Sequence, residues 1–223
     1  MQRVKLVKKI LIVSQAMEIG GAEKALLGLL EAIDKRKFQV DLFLLHHTGE
    51  LLKYIPDNIT ILPEKKEYAM LGIPLKETLR EKEYNIFWGR LKGNLRANKY
   101  VRKNYFKDAA AVNDEYSHKY TVNCMPMISD EEYDLAISFL APHYFVSKKV
   151  IAKEKMAWIH TDYETVEIDV NSELGMWSEY DYIASISDKV TESFLKTFPS
   201  LHNKIILFEN IMPVEYIRNL SDS

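Results

Sequence analysis

Apolar positions fall in short unbroken runs, each followed by a loop or by a stretch of helical periodicity. The first run is Lys9-Ile10-Leu11-Ile12-Val13-Ser14. An apolar run this short, with no polar alternation, fits a strand covered on both faces, as in a parallel sheet. A loop from Gln15 to Gly21 follows. Ala22 to Ile33 then places Ala25, Leu26, Leu29, Leu30 and Ile33 on one face, which predicts a helix. Val40 to Leu45 predicts a second strand. Strand, loop, helix and strand in this order form the building unit of doubly wound sheets.

The same alternation continues. Ile59-Thr60-Ile61-Leu62 reads as a short strand ended by Pro63, and Asp134 to Ser138 as another. A helix is predicted over Tyr144 to Ala152, then a strand over Lys155 to Ile159 that ends at His160. Tyr182 to Ser185 and Ile205 to Phe208 complete the strands. The helix between them, Lys189 to Lys196, has Ser187 or Asp188 as its N-cap. Pro74 to about Met127 contains no convincing strand. Leu75 to Phe106 is rich in helix formers and carries Tyr84, Phe87, Trp88, Leu91 and Leu95 at helical spacings, so one or two inserted helices are predicted. Val214 to Leu220 starts a further helix. The whole predicts an α/β fold with a largely parallel sheet of about six or seven strands, helices on both faces and a helical insertion over 74–127.

Composition narrows the function classes. With 223 residues, 47% hydrophobic and 28% charged, the chain has the make-up of an ordered domain with a sizeable core. The net charge of −2 gives no bulk basicity, so nucleic acid is not an expected partner. The single cysteine, Cys124, excludes an intrachain disulfide and fits a reducing compartment. No apolar run approaches the roughly 18 residues of a membrane span. Met1 to Ala16 is basic and then apolar, but Ile10 to Val13 is shorter than the roughly 7–15 apolar residues of a secretory signal. A cytoplasmic protein is expected.

Several familiar motifs are missing. The sequence has no G-x-G-x-x-G, no G-x-x-x-x-G-K, no G-x-S-x-G, no D-x-D and no Cys/His cluster with zinc spacing. Gly20-Gly21-Ala22-Glu23 stands where the first predicted helix begins. The free N–H groups and positive dipole end of a helix there suit phosphate or another anion; a tight turn explains the same glycines equally well. His160, in Trp158-Ile159-His160-Thr161-Asp162, falls just past a strand's carboxyl end, where open α/β sheets bind ligands. A histidine satisfied by neighbouring backbone is the plainer alternative. Adjacent His46 and His47 point to opposite sides and read as structural. Asp162, Glu164, Glu167 and Asp169 read as a solvated loop and helix face rather than a metal site.

The insertion is locally basic. From Arg80 to Lys107, nine lysines and arginines face only Glu81 and Glu83, with aromatic and aliphatic residues interleaved. Such a helix can lie on an anionic membrane, and an ordinary solvated face accounts for it as readily.

Taken in order, Lys8 to Val13, Gly20 to Lys24, Leu27 with Leu29 and Leu30, and Lys35 to Leu42 resemble the start of the family-4 retaining glycosyltransferases, which have the two-Rossmann-domain (GT-B) architecture. Trp158 to Asp162 is similar to that family's histidine-bearing strand end. Ala184 to Asp188, Phe194-Leu195 and Phe198-Pro199 resemble the stretch before its domain crossover, and Ile205 to Asn210 the run into its linker. The resemblance covers roughly residues 8–50 and 134–220, and is greatest to bacterial enzymes of capsular and exopolysaccharide synthesis.

The resemblance implies a Rossmann-like N-terminal, acceptor-side domain over 1–213, with 214–223 starting a linker or crossover helix and the donor-binding domain not included, so that this chain alone is inactive. It implies a nucleotide-sugar donor as substrate, no cofactor, no metal, and a glycan or lipid-linked acceptor. By carry-over, Gly20 and Gly21 approach the donor diphosphate and His160 orients the donor sugar as the catalytic histidine. Trp88, Arg90, Arg96, Arg102 and Lys103 form an acceptor-side face that touches the inner leaflet, making the protein peripheral on the membrane. A non-catalytic binding domain, or half of a nucleotide-sugar epimerase of the same architecture, is the competing expectation.

Overall fold

The computed structural model describes residues 7–140 and 142–221. The first six residues of the basic amino-terminal stretch and the last two of the 214–223 segment lie outside the described residues. The chain runs β1 (Lys8–Ser14), α1 (Gly21–Ala32), β2 (Phe38–Leu44), β3 (Ile59–Ile61), α2 (Lys66–Ala69), α3 (Leu75–Arg80), α4 (Tyr84–Asn104) and α5 (Ala110–Thr121). It continues with β4 (Glu132–Ser138), α6 (His143–Lys149), β5 (Ile151–Ile159), α7 (Val170–Trp177), β6 (Tyr182–Ser185), α8 (Asp188–Thr197), β7 (Ile205–Leu207) and α9 (Val214–Ser221).

The seven strands form one sheet in the order β3-β2-β1-β4-β5-β6-β7, with every pairing parallel. The chain builds outward from β1 to β3, crosses through the helical insertion, and restarts at β4 on the other side of β1. The order therefore reverses between β1 and β4, and that switch point opens a crevice beyond the carboxyl ends of the two strands. The fold is Rossmann-like.

The strands alternate between two cores. Leu11 and Val13 face one with Tyr68, Phe145, Trp177 and Phe194, while Ile10 and Ile12 face the other with Leu26, Leu30 and Tyr216. Both faces of β1 are buried, which is why its sequence is an unbroken apolar run rather than an alternating one. The loop after β1 is pinned from outside. Met17 N–H donates to Thr48 O and Leu51 N–H to Met17 O, with Gly49 at φ 111° between them. A side chain at Gly49 would strike the Met17 backbone at 2.1 Å, so only glycine allows this approach.

The insertion is helical, as its lack of strand signals predicts: Leu75 to Phe106 holds two helices, α3 and α4, and a third, α5, follows. Gly89, Gly93 and Ala97 form the buried stripe of α4. Added Cβ atoms at Gly89 and Gly93 would stand 2.8 and 2.7 Å from the Tyr120 and Tyr116 carbonyl oxygens of α5, so the small stripe is what lets the two helices touch.

Two predicted boundaries move. The helix expected to reach Ala152 ends at Lys149, and β5 begins at Ile151. Val150 and Ile151 are β-branched, and Ile151 and Ala152 start the pairing with Glu132 and Tyr133, which tertiary context favours over another helical turn. A helix unmarked in the sequence, α7, follows the acidic loop and is capped by Asp169, whose carboxylate accepts the Ser172 N–H at 3.1 Å. The Ser187 cap of α8 is as expected, accepting from Val190 N–H.

Candidate functional site: a cleft at the sheet's switch point

Three adjoining cavities open beyond the carboxyl ends of β1, β2, β4 and β5. Gln15, the first residue after β1, lines all three. The central cavity, about 310 Å³, is bounded by Ala22 and Glu23 of α1, Leu140 and His143 after β4, and Trp158 and His160. The second, about 270 Å³, lies between α5, α6 and α7 and shares His143, Thr161, Tyr163 and Trp177 with the first. The third, about 180 Å³, reaches His46 and Gly72. Together they form one cleft on the scale of small-molecule sites, roughly 300–1,000 Å³.

His160 is placed where the strand pattern predicts. Its ring centroid lies 4.7 Å from that of Phe139, and its plane is nearly parallel to that of Trp158 at 6.4 Å. Burial pulls its pKa down to about 4, opposed by a hydrogen bond to the Phe139 backbone. The imidazole is therefore neutral at pH 7. Its Nε2 is buried and has no hydrogen-bond partner, and the same is true of Trp158 Nε1 in the same cavity wall. A buried polar atom left unpaired costs about 1–3 kcal/mol. Both residues line this cavity, so these two unpaired atoms lie beside the space that a ligand would fill.

The glycine pair is placed less simply. The first turn of α1 does reach the His160 cavity, through Ala22 and Glu23. Gly20 is extended, with φ −138°, and the Glu23 side chain folds over it; a methyl group there would stand 2.1 Å from the carboxylate. Gly21 borders a separate apolar cavity with Lys24 and residues 210–213, and a Cβ there would meet nothing within 4 Å. Neither glycine takes a positive φ.

The basic face divides. Trp88 is 63% exposed, as is Leu95, and both lie on an open face of α4 with Leu91, Lys92, Arg96 and Lys99. Arg102 and Lys103 are exposed in the last turn of α4. Arg90 is the correction. It turns inward, and its Nη1 donates to the Met70 carbonyl at 2.6 Å and to Thr78 Oγ1 at 2.9 Å. Burial lowers its pKa. Arg90 ties α4 to the turn after α2 and to α3, and is no headgroup ligand. α5, not α4, supplies the cleft wall on the insertion side.

The acidic loop is mostly as read: Asp162 pairs with Lys189, Glu164 with Lys196, and Glu167 accepts the N–H groups of Lys107 and Asp108. Asp169 departs from it, being buried and accepting the Tyr116 hydroxyl at 2.7 Å.

Residues that the sequence did not single out fill the second cavity. Glu115 Oε1 accepts the hydroxyls of Tyr144 and Ser172, each at 2.5 Å, while its Oε2 is buried without a partner. Glu173 Oε2 accepts from Tyr163 Oη at 2.9 Å and Trp177 Nε1 at 3.2 Å, and burial raises its pKa to about 7. His118 and His143 are held down near 3 by burial, so both are neutral. His143 Nδ1 meets Ser138 Oγ at 2.8 Å. Groups whose pKa values burial shifts, gathered in one cleft, mark it as a candidate functional site. Among the described residues no group of three or more His, Cys, Asp and Glu is arranged to hold a metal ion, and no helix is long and apolar enough to cross a membrane. No protein-family model matches the chain, and no curated protein matches it.

Proposed function

We propose that this chain is the acceptor-side domain of a retaining glycosyltransferase, which moves a sugar from a nucleotide-sugar donor to a glycan or lipid-linked acceptor in cell-surface polysaccharide synthesis. The observation that carries the reading is the buried, unpartnered Nε2 of a neutral His160, in a cavity that the first turn of α1 shares at the sheet's switch point. A neutral ring bonded to backbone through one nitrogen offers the other as an acceptor for a sugar hydroxyl. Gly20 N–H already donates to Glu18 O at 3.0 Å, so the diphosphate falls to the N–H groups of the first turn of α1 from Gly21 onward, once the Glu23 side chain swings away.

In the reaction the bond from the sugar's anomeric carbon to the leaving phosphate oxygen breaks, and a bond to the acceptor oxygen forms on the same face. The acceptor's proton passes to the departing phosphate. No protein nucleophile is required, so this domain contributes position and electrostatic fit. The open α4 face, with Trp88, Leu95, Arg96, Arg102 and Lys103, is the surface we assign to the anionic inner leaflet, next to a lipid-linked acceptor. Exposed apolar residues flanked by cations support that assignment.

Calorimetric titration of the chain joined to the donor-binding domain that the reading requires, with a panel of sugar nucleotides and with the matching free nucleotides, tests the reading. One sugar nucleotide should bind more tightly than its free nucleotide. His160→Ala should remove about threefold to tenfold of that affinity, the worth of one hydrogen bond, while leaving the free nucleotide unaffected. Equal losses for both ligands, or no effect of the substitution, would count against His160 as the sugar contact.

A further inference from the structure

The cavity between α5, α6 and α7 carries an unusual charge pattern. Glu115, Glu173 and Asp114 stand in its wall, and no lysine or arginine does. Its two histidines, His118 and His143, are neutral. The rest of the wall includes the apolar Ala111, Val166 and Met176. Glu115 is 8% exposed. One of its carboxylate oxygens receives two hydroxyl donors, and the other, Oε2, receives none. A carboxylate oxygen buried in this way requires an O–H or N–H donor, and none of the described residues supplies it.

We propose that this cavity is a binding site for a small polyol or amino polyol that carries no negative charge, which donates an O–H or N–H to Glu115 Oε2. The size supports a compact ligand: about 270 Å³ holds one sugar-sized ring and little more. The apolar wall receives its C–H face, and the acidic wall its hydroxyls. An anionic ligand such as a uronic acid or a sugar phosphate would bring a like charge to Glu115 and Asp114, whose neighbouring cations, Lys119 and Arg90, stand outside the wall and already act on those two acids, so the cavity disfavours it. Tyr144 and Ser172 hold Glu115 from the other side, so the acceptor oxygen is fixed before the ligand arrives.

The cavity shares His143, Thr161, Tyr163 and Trp177 with the His160 cavity. Its occupant therefore lies directly beside whatever His160 holds. Calling that occupant the acceptor rests on the transferase reading, whereas its charge selectivity does not.

The test titrates the isotope-labelled chain with glucose, glucosamine and glucuronate and follows the Met176 methyl, the Trp177 indole and the His118 ring by nuclear magnetic resonance. Glucose and glucosamine should shift these signals. Glucuronate should bind at least about tenfold more weakly, a difference of about 1.4 kcal/mol. Glucosamine exceeding glucose identifies the ammonium as the donor, and equal binding identifies a hydroxyl. Glu115→Gln, which keeps an oxygen for Tyr144 and Ser172, should weaken both sugars and narrow the gap to glucuronate. Asp114→Asn changes an exposed wall residue without disturbing the buried network, and should narrow that gap alone. Glucuronate binding as tightly as glucose, or no shift with any of the three at about a hundredfold excess, overturns the proposal. Sugar binding here combined with no sugar-nucleotide binding once the donor-binding domain is joined would retain this site and remove the transferase.

Discussion

Tyr163 donates its hydroxyl to Glu173 Oε2 at 2.9 Å, and the carboxyl that receives it has its pKa raised by burial to about 7. The hydrogen bonds from Tyr163 and Trp177 stabilise the carboxylate but do not overcome its desolvation.

A pH dependence with a definite sign follows. Below 4.5, the ordinary value, Glu173 is protonated in both the folded and the unfolded chain. Between 4.5 and about 7 the unfolded chain ionises and the folded one does not. Ionisation then favours unfolding, so Glu173 removes stability as pH rises through that window, by roughly 3 kcal/mol at most. The histidines act the other way. His160, His118 and His143 have folded pKa values below the ordinary 6.5, so they remove stability as pH falls below 6.5. Glu173→Gln retains an oxygen for Tyr163 and Trp177 and abolishes only the first effect. Its Tm relative to the unmodified chain should rise steadily from pH 4.5 to 7 and then level off. A difference that stays constant across that range would show that Glu173 is not the group responsible.

The α4–α5 contact gives a second expectation. A Cβ at Gly93 would stand 2.7 Å from the Tyr116 carbonyl oxygen, and backbone cannot move aside as a side chain can. Gly93→Ala should destabilise by up to about 2 kcal/mol, because overpacking of about 1–3 kcal/mol is offset only in part by the gain in helix propensity of about 1 kcal/mol. Gly175 in α7 has open space at the same position, so Gly175→Ala should stabilise by up to about 1 kcal/mol. Denaturant unfolding of the two variants separates packing from propensity, since propensity alone predicts the same sign for both.

These contacts also mark where sequence reasoning stops. The strands were legible because burial on both faces leaves only apolar runs: Ile10 to Val13 and Tyr182 to Ser185 identify themselves. His160 was legible because a strand's carboxyl end in an α/β alternation is where ligands sit. Glu115 was not. It occupies an ordinary position on a helix of weak amphipathicity, and only the packing of α5 against α6 and α7 brings Tyr144 and Ser172 to it. Asp169 looked like one of four solvated acids because nothing local reveals that Tyr116, 53 residues away in the chain, reaches its carboxylate. Arg90 failed for the same reason. Its partners Met70 and Thr78 belong to segments whose approach the sequence does not encode locally.

Arg90 sharpens the test of the membrane face. Arg96, Arg102 and Lys103 are exposed on α4, whereas Arg90 is bonded into the insertion. If α4 lies on an anionic leaflet, each exposed cation contributes about 1 kcal/mol near the surface. Replacing Arg96, Arg102 and Lys103 together with glutamine should then weaken co-sedimentation with phosphatidylglycerol vesicles by about a hundredfold and leave Tm nearly unchanged. Arg90→Gln should do the reverse. It should lower stability by about 1.5–3 kcal/mol, through lost hydrogen bonds to a charged group, and leave vesicle binding of the folded protein intact. Trp88→Ala should weaken binding through lost apolar contact, with less dependence on salt than the charge substitutions, because exposed charges are screened over about 8 Å at physiological ionic strength. Equal pelleting with phosphatidylcholine and phosphatidylglycerol vesicles would remove the electrostatic part of the assignment. An unchanged profile for the triple substitution would leave α4 as an ordinary solvated face, with Arg90 its one structural cation among the five residues tested.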